Sequence, residues 1–331
     1  MSGSPTRLTA TSLTLSCLLL AMPWARGGEY DAALSARHYG QVEREASAAL
    51  AVNPHDPEAL YAKVEALLVM APDSRLDEAG RLAAQCVAEH PKQSRCHEAY
   101  GDVMGTKAMN ASVFSAISYA TKIRDAYRTA IELDPDNLSV RFSLQQYLLS
   151  APAFLGGGAD QARALETDTA RLRPDAGKLM EAMILLNDGA TDKTEALLDA
   201  LAPSDSYVLA DQENELFWEL GLRYLKDRKF ADAERAFVAL QNRYPRSERG
   251  PYGLAQVRQE EGRPGDAVPL FEQALKIEAR ADIYYRMAQV LQASKANARA
   301  ITAYEMALGA RPALGQKQRS DAEAQLKNLK I

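Results

Sequence analysis

Small and aromatic residues return along the last third of the chain at a fixed interval. A small residue at Gly221, Ala255 and Ala288 recurs at steps of 34 and 33 residues. A second series, Ala233, Ala267 and Ala300, keeps the same steps, and so does an aromatic one turn later at Phe237, Phe271 and Tyr304. Three series with one period predict a repeated unit of two antiparallel helices. Neither helix can bury its apolar face alone. The small residue lets the two backbones approach where they cross, and the aromatic fills the space between one unit and the next. Pro245 and Pro312 close the first and third units, because proline cannot continue the helical hydrogen-bond ladder.

Earlier in the chain the pattern is looser. Turn signals stand at Asn53-Pro54-His55-Asp56-Pro57, His90-Pro91, Leu133-Asp134-Pro135-Asp136-Asn137 and Arg173-Pro174-Asp175. The spacing of these prolines, 37, 44 and 39 residues, predicts insertions. One lies within Gly105–Tyr119, as a lengthened helix or an extra short one. Another is the loop Ala151–Gly158 between the helices of one pair. The count is seven or eight units, with a boundary at Ser204–Leu209 between an irregular and a regular half. At the end, Ser320-Asp321-Ala322-Glu323 reads as a capping box. It opens a terminal helix whose stripe Ala322, Leu326, Leu329 packs on the last unit while its other face stays polar.

Leu220-Gly221, Tyr224, Ala233, Phe237 and Pro245 resemble the tetratricopeptide repeat (TPR) pattern of Leu-Gly, Tyr, Ala, Phe or Tyr, and Pro. Leu240 departs from it, since a small residue is usual there, and the middle unit has Ala255 and Ala279 for the Gly and Pro. The resemblance is strong over 214–312 and loose over 30–203. It implies an all-α, right-handed superhelical solenoid of antiparallel helix pairs that works as a protein-interaction scaffold. The segments are then 1–27, 28–203 with irregular repeats, 204–313 with regular repeats, and a capping helix over 314–331.

The first segment reads as a secretory signal. Arg7 precedes an apolar run from Leu8 to Met22, Pro23 breaks it, and Ala25-Arg26-Gly27 offers small residues for cleavage near Gly27–Gly28. The run is too short and too rich in Ser and Thr for a membrane span. Around Cys17, Thr14 stands where an acylation box wants Leu, and the apolar core continues past the cysteine, so the thiol is read as unmodified. The chain is therefore expected in the periplasm or outside the cell, with no stable membrane insertion after cleavage. Formal net charge is −5, and about −7 once the first 27 residues are set aside. That balance argues against a nucleic-acid partner, which needs a basic surface, and supplies no polybasic patch for anionic lipids.

Candidate chemistry is sparse. His38, His55, His90 and His97 are scattered, no Cys-x-x-Cys occurs, and no metal or cofactor is expected. Gly156-Gly157-Gly158 lacks the Lys-Ser or Lys-Thr and the strand of a phosphate loop, and reads as a connector. No nucleophile motif or framed carboxylate pair suggests an enzyme. Cys86 and Cys96 lie five residues either side of Pro91, so a helical hairpin would face them, and export would place them where disulfides persist.

In a TPR superhelix the first helix of each pair lines the concave groove. Its fifth residue here is Trp218, Tyr252 and Tyr285, its ninth Leu222, Gln256 and Gln289, and its twelfth Leu225, Gln259 and Gln292. Aromatics beside glutamines are suited to hold an extended peptide, the amides pairing with its backbone. The expected function is thus an exported scaffold for protein partners in envelope assembly or transport. The alternative is a periplasmic helper that encloses a small ligand around the inserted segments. A third class, an enzyme built from dispersed residues, has no motif to support it.

Overall fold

The computed structural model describes residues 29–35, 37–70, 74–204, 206–311 and 313–330. The segment 1–27 read as a secretory signal, Cys17 within it, and Pro312 lie outside them. Seventeen α-helices, one 3-10 turn and no strand occur among the described residues. A short α1 (Asp31–Ser35) and α2 (Tyr39–Val52) precede seven helix pairs. These are α3 (Pro57–Met70) with α4 (Leu76–Glu89), α5 (Ser94–Met109) with α6 (Val113–Leu133), and α7 (Leu138–Ser150) with α8 (Ala159–Leu172). They continue as α9 (Pro174–Asn187) with α10 (Thr191–Asp199), α11 (Tyr207–Lys226) with α12 (Phe230–Arg243), α13 (Arg249–Glu260) with α14 (Pro264–Ile277), and α15 (Ala281–Ala293) with α16 (Asn297–Gly309). The terminal helix is α17 (Gln316–Leu329). Each helix packs on its neighbours in sequence, and together they form a right-handed TPR-type solenoid.

The small residues stand where helices nearly touch. A Cβ on Gly221 would lie 2.4 Å from the Phe237 ring, and one on Gly253, in the next pair, 2.2 Å from the same ring. Phe237 is fully buried between them. The same device appears in the irregular half, where a Cβ on Gly101 would lie 2.3 Å from the Tyr127 ring. There the glycine and its ring are 26 residues apart, against 16 for Gly221 and Phe237. The turns within pairs are also repetitive. Gly189, Arg228, Gly262 and Lys295 all take positive φ, between 58° and 77°. Glycine adopts that backbone freely, whereas Arg228 and Lys295 hold it against their own Cβ because the hairpin geometry requires it.

The insertion at 105–119 is a lengthening of both α5 and α6, not an extra helix. The one at 151–158 connects α7 to α8 through a 3-10 turn at Ala153–Leu155, with Gly156 at φ 88°. Across Ser204–Leu209 the packing is continuous: one apolar core runs from Leu138 to Val257. Arg243 reinforces it by donating to the carbonyls of Leu198, Asp199 and Leu201 at the end of α10 while pairing with Glu213 of α11. A cation is well placed at that negative helix end.

The expected capping box at Ser320 is not formed. Helix α17 opens five residues earlier, with Gly315 as its N-cap, so Ser320 lies inside the helix and Glu323 pairs instead with Arg319. The Gly315 turn supplies the start, and Ser320 has no free helix N-terminus to cap. The stripe is as expected, with Ala322 fully buried and Leu326 and Leu329 packed on the last core.

Cys86 of α4 and Cys96 of α5 are bonded, with Cα atoms 5.2 Å apart and both side chains fully buried. Non-reducing peptide mapping should recover the linked pair, and breaking it should cost about 2–3 kcal/mol for so short a loop. Glycines of α5 offer a second test. Gly101→Ala should destabilise the fold by about 1–3 kcal/mol, because the new methyl meets the Tyr127 ring. Gly105→Ala, which meets nothing within 4 Å, should stabilise by up to about 1 kcal/mol through helix propensity. Circular dichroism melting separates the two.

Candidate partner-binding groove

The sequence-selected groove residues form a packed ladder. Trp218 stacks on Tyr252 with ring centroids 5.5 Å apart, and also meets Phe237 at 5.5 Å. Tyr252 meets Phe271, and Tyr285 meets Tyr304. Tyr252 and Tyr285 are buried, and Trp218 keeps partial exposure. The glutamines were expected to face an open groove, but the structure engages or encloses them. Gln256 is 5% exposed. Gln289 donates to the Tyr285 hydroxyl at 2.9 Å. Gln292 donates to Gln325 of α17 and accepts from the Tyr304 hydroxyl. Tyr285 in turn donates to Asp321 of α17 at 2.7 Å. The row therefore fastens the capping helix onto the last pair. Gln259 differs: its Oε1 is enclosed and has no hydrogen-bond partner.

The fifth, ninth and twelfth positions of α11 remain part-exposed. Trp218, Leu222 and Leu225 form an apolar strip there, each only partly covered by the core beneath.

The irregular half carries an acidic interior that the sequence reading missed. Counted from Gly101 as from Gly221, Glu98 occupies the position of Trp218 and Asp102 that of Leu222. One unit earlier, by the same 37-residue step as the prolines, stand Tyr61 and Glu65. Glu98 is buried and accepts from Asn137 at 2.8 Å. Asp102 accepts from the Tyr127 hydroxyl at 2.6 Å and hydrogen-bonds Glu65, whose Oε1 is enclosed without a partner. Burial, reinforced by the Glu98 charge, pushes the Asp102 carboxyl up to about 7. Burial, with Asp102 and Glu98 beside it, raises Glu65 well above the usual carboxylate range. Gly101 with Tyr127 was the available signal. The lengthened hairpin stretched their spacing and hid it.

A clasp of charges joins the N-terminus to the same face. Arg95 of α5 grips Asp31 with two bonds of 2.6 Å, and Tyr207 at the start of α11 also bonds Asp31. Arg37, at positive φ, donates to Asp211 of α11 at 2.8 Å and lies 4.0 Å from Glu248. Glu248 also binds Arg280 at 2.7 Å. Burial alone would raise the Glu248 carboxyl, but Arg280 and Arg37 bring it below its ordinary value. Asp31 and Arg37 thus bind first helices of their pairs, α5 and α11, and the residue that caps α13.

Among the described residues no group of three or more His, Cys, Asp or Glu side chains could hold a metal ion. Two shallow clefts, of about 350 and 490 Å³, are lined around Tyr284, Met287 and Met306 and around Asp192, Lys229 and Arg235, away from the inserted segments.

The raised Asp102 carboxyl has a definite consequence for stability. Unfolded, the group titrates near 4. Between there and about 7 the folded chain holds more protons than the unfolded one, so stability falls as pH rises through that window. Asp102→Asn removes this penalty while keeping an acceptor for Tyr127. It should stabilise the protein by ~2 kcal/mol at pH 8 and by little at pH 4.5, read from melting curves at both pH values. An equal gain at both would show that Asp102 is not the titrating group.

No family model matches the chain, and no curated protein matches it in sequence. Solved structures do match. Yeast Tom70 is 15% identical at a TM-score of 0.62, over 92% of this chain and 61% of that one. The APC/C hetero-tetramer Cut9-Hcn1 is 17% identical at 0.47, over 90% of this chain and 54% of that one. A tetratricopeptide repeat protein from Parabacteroides merdae is 13% identical at 0.44, over 91% of this chain and 97% of that one. The chain thus spans about three fifths of Tom70 and about half of the Cut9 chain. At these identities the likeness to Tom70 establishes one thing, the fold: a TPR-type solenoid.

Proposed function

We propose that this chain is a non-catalytic scaffold whose concave face takes a protein partner, and that it acts outside the cytoplasm, in envelope assembly or transport. The observation that carries the binding reading is the strip Trp218, Leu222, Leu225 on α11. In α13 and α15 the fifth positions are buried tyrosines and the ninth and twelfth are glutamines. Here three apolar side chains in successive turns are left partly uncovered on the groove-lining helix. Such a strip suits the side-chain anchors of an extended or helical peptide. Support for the compartment is the apolar leader with its small-residue exit, together with the Cys86–Cys96 bond, since structural disulfides persist in oxidising surroundings. The small-ligand alternative has no comparable observation: neither cleft is deep or lies at the insertions.

A photo-crosslinking residue in place of Leu222, introduced into the natively expressed protein, should capture a partner that the same residue at the far-side position Val238 does not. With the partner in hand, Leu222→Asp should weaken binding at least tenfold while shifting the melting midpoint by only a few degrees, because the side chain is already part-exposed. Equal affinity of the wild type and Leu222→Asp would remove the groove reading. Peptide mapping of the exported form tests the compartment separately: an intact Met1 in a cytoplasmic fraction would refute it.

A further inference from the structure

We propose that the tip of the α5–α6 hairpin docks on an anionic lipid surface, independently of the groove. Helix α6 has 21 residues and α5 has 16, whereas α12 and α14 have 14 each. Seven extra residues in α6 carry the hairpin about 10 Å beyond its neighbours at 1.5 Å per residue. The prolonged part has a distinct composition. From Ala108 to Thr121 no side chain is charged, in a chain where a quarter of the residues are. Met109 at the turn is 80% exposed, and Ile117 on α6 is 40% exposed. Ser112 caps α6 by accepting from the Ser115 amide, and further hydroxyls follow at Ser118 and Thr121.

Behind this apolar tip lies a collar of cations. Ile117, Arg124 and Arg128 are seven and eleven residues apart, which places them on one face of α6. The Arg124 side chain lies against Gly156, next to Phe154 of the inserted 3-10 turn, itself 77% exposed. Phe154 therefore stands beside the cations, behind the tip that Met109 and Ile117 form. The Lys122 ammonium sits 5.8 Å from the Tyr119 ring, and Lys107 stands one turn before the tip. Against these cations the hairpin sets a single acid between residues 106 and 128, Asp125, which pairs with Arg124. Asp77 of α4 approaches Lys107 only to 3.8 Å. The local balance is thus opposite to the net charge of −5, and the folded hairpin gathers a basic patch that the overall charge gave no reason to expect.

An apolar, hydroxyl-bearing end with a tyrosine and cations one to three turns behind it matches the layering of a bilayer surface. The apolar groups enter the acyl boundary, and the hydroxyls and ring meet the headgroups. The long cationic side chains reach the anionic phosphates. A protein partner of ordinary affinity needs roughly 800 Å² on each side, which a narrow helical tip supplies poorly.

The test is co-sedimentation of the purified full chain with vesicles of phosphatidylglycerol and phosphatidylethanolamine, against vesicles of phosphatidylcholine alone. Binding to the anionic vesicles should exceed that to the neutral ones and weaken with salt. The double variant Met109→Asp, Ile117→Asp should bind at least tenfold less, and Lys122→Gln with Arg128→Gln should flatten the salt dependence. Both changes fall on exposed side chains, and circular dichroism checks that each variant is folded. Equal sedimentation of the wild type and the double variant would overturn the proposal. So would a dimer in analytical ultracentrifugation that Met109→Asp dissociates, because the tip would then be an interface between two copies.

Discussion

Close approach of helix backbones is the constraint on which the rest of this molecule depends. Where two helices of a pair cross, only glycine or alanine leaves room, and the ring from the second helix occupies the space that remains. Phe237 is the clearest case, held between Gly221 of its own pair and Gly253 of the next. One side chain therefore belongs to two units at once. A solenoid built this way has no independent repeats: each unit supplies the surface that its neighbour needs to be buried. The continuity of the apolar core from Leu138 to Val257 follows from the same sharing.

Polar side chains are then arranged around the positions that packing leaves free. In the regular half they serve as fasteners, with Gln289, Gln292 and Tyr285 tying α17 to the last pair and Arg243 tying α10 to α11 and α12. In the irregular half the same helix positions carry Glu98, Asp102 and Glu65, where burial and neighbouring acids push the carboxyls above their usual range. Asp31 and Arg37 join the N-terminus to α5, α11 and the residue that caps α13. The strip on α11 and the tip of the α5–α6 hairpin are the features that this internal bonding leaves uncommitted.

The period of small and aromatic residues was enough to fix an all-helical solenoid and its register over α11 to α16, because crossing geometry tolerates few residue types at those places. The proline spacing located both insertions, and the symmetry of Cys86 and Cys96 about Pro91 matched the hairpin that joins them. The choice between a lengthened helix and an added one at 105–119 was not legible, since residues that are uncharged and small suit either. The start of α17 was misplaced because Ser320 and Glu323 satisfy a local pattern whose use depends on where the preceding turn releases the chain. The acidic interior escaped notice for another reason. The lengthened α5–α6 hairpin moved Tyr127 ten residues further from Gly101 than the period allows.

What the sequence determined by itself is local and periodic: helix pairs, their order, and the small residues at their crossings. Helix geometry and steric exclusion act within one repeat and its neighbours, so they leave a trace at fixed intervals. What the tertiary structure decided is which polar groups on the inner face are spent on the protein itself. Gln256 and Gln292 occupy groove positions in the sequence pattern, yet whether such an amide is enclosed, bonded or open depends on superhelical curvature, on α17 and on the N-terminal clasp. Those contacts join residues as far apart as Arg37 and Glu248, and no repeat spacing encodes them.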